Sequence, residues 1–138
     1  MNNFFKGYGT LSSGILHITP KEAFELISKG AIIIDLRDPD YLDYKIFDTD
    51  KLINIPLPKL KDNIDNLLKK GPIILADSSG LHSKKAVKIL KDKGFENVAN
   101  MAGGFVEWER DGLPVGVDIN ERLTGSCTCQ LKPRERKK

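Results

Sequence analysis

Residues able to do chemistry gather in two short stretches of this chain. The first is Asp77-Ser78-Ser79-Gly80-Leu81-His82-Ser83, which joins the apolar run Pro72-Ile73-Ile74-Leu75-Ala76 to a segment with helical spacing. Small and polar residues between a strand and a helix turn successive backbone N–H groups inward. The helix dipole adds about half a positive charge at its start. Such a loop is an anion cradle. Its specificity is moderate, because Asp, Ser and Gly also serve helix starts purely as caps. Ser78 and Ser79 carry hydroxyls near His82, yet no spacing identifies a triad, and lining the turn is their favoured role. A phosphoryl acceptor at Asp77 would need a metal and companion carboxylates that the surrounding sequence does not supply. A cap, with the carboxylate accepting N–H bonds from its own loop, is favoured over catalysis.

The second stretch is Cys127-Thr128-Cys129, which holds the only thiols in the chain. Nearby cations favour thiolate there. A disulfide across one intervening residue closes a tight ring that is strained and easily reduced. The pair could carry a persulfide, cycle as a redox couple, or bind a soft metal with ligands from another chain. Two thiols alone do not make a four-ligand zinc site. Incidental and functional readings of this pair stand level. No cofactor and no metal site is expected.

Positioning these groups falls to alternating elements. Ile15-Leu16-His17-Ile18 is β-prone, with His17 read as a partly buried or edge residue. Thr19-Pro20-Lys21-Glu22 opens a helix, with Thr19 as N-cap, Pro20 in the first turn and Glu22 closing a capping box. Ala23, Phe24, Leu26 and Ile27 continue at helical spacing until Gly30. Ala31-Ile32-Ile33-Ile34-Asp35 lacks alternation, as expected of a strand covered on both faces. Asp38 to Tyr41 resembles another helix start, Leu52 to Pro56 a strand, and Leu60 to Lys70 an amphipathic helix ended by Gly71. A helix over Ser83 to Lys93, a short strand at Asn97 to Ala99 and a last helix over Phe105 to Asp111 follow, and beyond Leu113-Pro114-Val115 regularity fades. Short strands alternating with helices predict an α/β domain with a mostly parallel central sheet and helices on both faces. The expected organisation is an N-terminal extension over 1–13, the domain over 14–116 and a tail over 117–138. In open parallel sheets the ligand site lies beyond the carboxyl ends of the strands. Three loops fall there: Asp35 to Asp38, Asp77 to Ser83, and Met101 to Gly104.

Composition bounds the partners. The 138 residues carry a net charge of +3, with 40% hydrophobic and 30% charged side chains. The final segment L-K-P-R-E-R-K-K has five basic residues against one acidic, so the body before it is near −1. The basic balance belongs to the tail, which argues against a nucleic-acid-binding face on the domain. No apolar run approaches the ~20 residues of a membrane span, and the N-terminus lacks a secretory stretch. A cytoplasmic, soluble chain is expected, with an unidentified protein or small molecule as partner.

Several motifs in order carry a resemblance. Ile18-Thr19-Pro20, Ile34-Asp35-Leu36-Arg37 and Ile53-Asn54-Ile55-Pro56 are followed by Ala102-Gly103-Gly104-Phe105-Val106-Glu107-Trp108 and then Gly112-Leu113-Pro114-Val115. From Ile15 to Val115 the chain resembles a single-domain rhodanese, the three-layer α/β sulfurtransferase fold shared with certain cell-cycle phosphatases. The resemblance implies a loop C-x-x-G-x-R-S whose cysteine takes the outer sulfur of thiosulfate as a persulfide. Here the loop reads D-S-S-G-L-H-S, which puts Asp77 at the cysteine and His82 at the arginine. A carboxylate cannot hold sulfane sulfur, and its charge repels thiosulfate. Histidine offers fewer donors than a guanidinium fork. Asp35 and Arg37 fall where the family shapes the loops beside its site, and are read here as structural. The expectation is a binding or regulatory module without ordinary sulfurtransferase activity. The alternative is sulfur or redox chemistry carried by Cys127 and Cys129.

Overall fold

Runs without alternation become the interior of the sheet. The computed structural model describes residues 4–38, 45–49, 51–63, 67 and 71–117. In chain order these form β1 (Thr10–Ser12), β2 (Ile15–Ile18), α1 (Pro20–Ser28), β3 (Ile32–Asp35), β4 (Lys45–Phe47) and β5 (Leu52–Asn54). They continue with β6 (Ile73–Ala76), α2 (Ser83–Asp92), β7 (Val98–Met101), α3 (Gly104–Arg110) and β8 (Val115–Val117). Six strands make one sheet in the order β1-β2-β7-β6-β3-β5, parallel throughout except for β1. β6 and β7 are buried at every position, because both have a strand on each side and a layer on each face.

Period-two alternation then divides the strand side chains between two cores. Ile33, Ile74 and Ala99 join Ala23 and Leu26 of α1 and Phe105 and Trp108 of α3. Ile34, Leu75 and Val98 join Ala86, Val87 and Leu90 of α2. Each fully buried Ile or Leu contributes roughly 1.5–3 kcal/mol of transfer free energy, so two such layers hold the sheet between them. The α/β architecture with helices on both faces follows.

The start of α1 has the expected box: Glu22 N donates to Thr19 Oγ1 at 3.1 Å, and Thr19 N donates to Glu22 Oε1 at 2.9 Å. Other elements differ from expectation. The helix expected over 60–70 begins instead with a 3-10 turn at Lys61–Asn63, preceded by another at Leu57–Lys59, while Leu67 is helical. Lys59 N bonds Pro56 O and Asn63 N bonds Leu60 O, three residues back, in a stretch where Pro58 has no N–H to give. Leu67 is buried, and 64–66 and 68–70 lie outside the described residues. The helix start expected at Asp38 to Tyr41 falls largely outside them too. From Val115, where the pattern fades, the chain instead forms β8, antiparallel to β4, with Ile46 opposite Gly116.

The N-terminal extension is tied to the domain over its described part. Phe5 sits in the core. Gly9 N donates to Glu22 Oε2 at 3.1 Å, and Tyr8 Oη donates to Glu25 Oε2 at 2.8 Å. A hairpin joins β1 to β2 through Ser13 and Gly14, both at positive φ (53° and 78°), the conformation of a two-residue turn that matches strand twist. Residues 118–138, with Cys127, Cys129 and the basic end, lie outside the described residues.

Candidate functional site

β6 ends at Ala76, and the chain turns at once through the 77–83 loop into α2. Asp77 is buried. Its Oδ1 accepts the Gly80 N–H and its Oδ2 accepts the His82 N–H at 2.8 Å. Inward-facing loop N–H groups and a negative side chain are thus matched within the loop itself. His82 Nδ1 lies 3.5 Å from the same Oδ2, with the ring mostly in solvent. Ser78, Ser79 and Leu81 are exposed, and no hydrogen bond joins either serine to His82 among the described residues. The loop therefore has the cradle but no assembled nucleophile and base.

A second set of contacts seats the loop on α3. Phe105 N donates to Asp77 O at 2.8 Å, and Val106 N donates to Ser78 O at 3.0 Å. These loop carbonyls satisfy two N–H groups that the first turn of α3 leaves without partners. Approach this close excludes side chains. A Cβ on Gly104 would stand 2.3 Å from Asp77 O, and one on Gly80 would stand 2.8 Å from Gly103 N. The two loops are locked together through backbone.

Ser83 anchors the start of α2 from below. Its hydroxyl donates to Asn100 Oδ1, and Asn100 Nδ2 is hydrogen-bonded to His17 Nδ1 at 3.0 Å. Asn100 is the residue the sequence reading missed. Its signal was one amide inside the otherwise apolar run Val98-Ala99-Asn100-Met101.

Asp35 and Arg37 form a neighbouring brace at the end of β3. Both are buried, and Arg37 grips the carboxylate with Nη2 to Oδ2 at 2.8 Å and Nε to Oδ1 at 3.0 Å. Nη2 also donates to Lys45 O at 3.0 Å, and the guanidinium lies 4.1 Å from the Phe105 ring centroid. Asn54 Nδ2 donates to the carbonyls of Asp35 and Arg37. The pair ties β3, β4, β5 and α3 together. Among the described residues no group of three or more His, Cys, Asp or Glu side chains is placed to hold a metal ion. No described helix is long and apolar enough to cross a membrane.

Comparison with known proteins fits this geometry. The profile of the Rhodanese-like domain family matches residues 19–111. The chain is 33% identical over 107 residues to the thiosulfate sulfurtransferase GlpE of Actinobacillus pleuropneumoniae serotype 7, covering 76% of this chain and 96% of the relative. Among solved structures it is similar to a rhodanese-related protein from Thermoplasma volcanium, with a TM-score of 0.64, 27% identity, and coverage of 72% of this chain and 95% of that one. It is likewise similar to a possible tyrosine phosphatase from Rhodopseudomonas palustris, with a TM-score of 0.66, 28% identity, and coverage of 75% and 86%.

Proposed function

Because this chain belongs to the rhodanese-like domain family, we propose that it is a cytoplasmic binding or regulatory module whose 77–83 loop does not carry out thiosulfate sulfur transfer. One observation carries the reading: the Asp77 carboxylate already takes the N–H groups of Gly80 and His82. In the family these donors stabilise a cysteine thiolate and then its persulfide. Asp77 stands where that cysteine would be, and oxygen, hard and poorly polarisable, forms no stable bond to sulfane sulfur. An incoming thiosulfate would meet the negative charge of a buried carboxylate, which repels it. His82, in place of the arginine, offers at most two ring donors against five. Scaffold and chemistry have parted company here, which a shared fold readily permits.

The test is intact mass spectrometry of the reduced protein after thiosulfate treatment and desalting, with cyanide release as a check. The wild type is expected to gain no sulfur, and Asp77→Cys to gain one atom. A wild-type gain that persists in Asp77→Ala and vanishes in the Cys127→Ser/Cys129→Ser variant would replace this reading with a sulfur carrier using the tail thiols.

A further inference from the structure

Beside the Asp77 loop, on the α2 face of the sheet, lies a basic groove of about 410 Å³. Ile15 and His17 of β2 line one wall, and Leu81 with Lys84, Lys85 and Lys88 lines the other. The three lysines are exposed, and none pairs with a carboxylate among the described residues. Other exposed lysines, Lys6, Lys21 and Lys61 among them, also lack an ion pair among the described residues. Position sets the three of the groove apart. The first turn of α2 contains no acidic residue and does contain Lys84 and Lys85, at the end where the helix dipole disfavours cations. Lys88 follows Lys84 by four residues and Lys85 by three, so all three share one helix surface and repel. An anionic occupant relieves both costs.

We propose that this groove docks an acidic, extended segment of a partner protein, its carboxylates against Lys84, Lys85 and Lys88 and an apolar side chain against Leu81. Charge complementarity selects the occupant. Leu81, 65% exposed at the rim, adds an apolar requirement that inorganic phosphate cannot meet. No Phe, Tyr or Trp side chain lines the groove, and its one ring, the His17 imidazole, is held by Asn100, which disfavours single-stranded RNA. The inference deepens the binding reading above and rests on it, since it names the surface such a module would use. His17 in the groove wall bonds Asn100, which holds Ser83, so an occupant touches the chain of bonds that anchors α2.

The experiment titrates the full chain into a fluorescein-labelled peptide of alternating glutamate and leucine and reads anisotropy. The wild type should bind, and Lys84→Glu/Lys85→Glu/Lys88→Glu should weaken binding by about tenfold or more. Glutamate suits a helix N-terminus, so this variant should fold; Lys84→Gln/Lys88→Gln provides a milder second variant with a smaller expected loss. Leu81→Ala should also weaken binding. A charge-matched control, Lys6→Glu/Lys21→Glu/Lys61→Glu, should leave it unchanged. Equal loss in the control, displacement of the peptide by inorganic phosphate or by polyuridine, or no wild-type binding would each overturn the proposal. Sulfur uptake, measured on the same samples, reports on the non-catalytic reading separately. Uptake at the loop would remove that reading and leave the peptide result standing.

Discussion

At the scale of single residues, the loop is organised by one carboxylate and two glycines. Asp77 neutralises donors that would otherwise face an exogenous anion, and Gly80 and Gly104 let the backbones of two loops touch. Gly104 combines a φ of +58° with a Cβ position 2.3 Å from Asp77 O, and relief would break the Phe105–Asp77 and Val106–Ser78 bonds. Gly94 also has positive φ (+99°), but a Cβ there meets nothing within 4 Å among the described residues. Gly94→Ala should therefore cost only the left-handed backbone, about 1–2 kcal/mol. Gly104→Ala should cost more by a further 1–3 kcal/mol or so of overpacking. Urea unfolding of the two variants side by side checks the difference; equal losses would mean the loops are not locked as described.

At the scale of elements, the Asp35–Arg37 brace joins β3 to β4, which share no sheet pairing. Strand β4 belongs to the separate ribbon with β8, and its Lys45 carbonyl is reached by the Arg37 guanidinium. Arg37→Ala leaves Asp35 charged, buried and without its partner, a loss of roughly 3–5 kcal/mol. Asp35→Asn/Arg37→Met removes both charges and should lose less than Arg37→Ala alone. Thermal unfolding of the two variants measures this. If the double variant proved the less stable, the pair would be contributing attraction well beyond its desolvation cost.

Across the whole molecule, Trp108 connects the α3 layer to both ends of the chain order. Its ring packs edge-on against Phe24 of α1 and Phe47 of β4, and its Nε1 donates to Pro114 O at 2.7 Å, just before β8. Trp108→Ala should cost about 3–5 kcal/mol. Against the 5–15 kcal/mol total typical of a domain, that loss should lower the melting temperature strongly. Calorimetry reads it directly; a shift of only a degree or two would mean the aromatic cluster is peripheral to global stability.

Much of this arrangement was legible from sequence because it depends on local chemistry. The box of Thr19 and Glu22 follows from side chains three residues apart, and the interior position of β3 and β6 from apolar runs without alternation. Five motifs in order, from Ile18 to Pro20, Ile34 to Arg37, Ile53 to Pro56, Ala102 to Trp108 and Gly112 to Val115, together named a rhodanese-like fold. Other features depend on residues far apart in the chain and left little local trace. The β4–β8 ribbon pairs two three-residue strands separated by most of the domain, too short for any periodicity to register. Asn100 acquires its role only when β7 lies beside β2 and below Ser83, and the lysines of α2 become a groove only when the β1–β2 hairpin supplies the opposite wall. By itself the sequence determined the scaffold and the identity of the groups in the loop, because backbone propensity and side-chain chemistry are local. Tertiary structure alone decided which N–H groups the Asp77 carboxylate accepts and which cations stay unpaired, because hydrogen bonds and ion pairs are set by distances that folding creates.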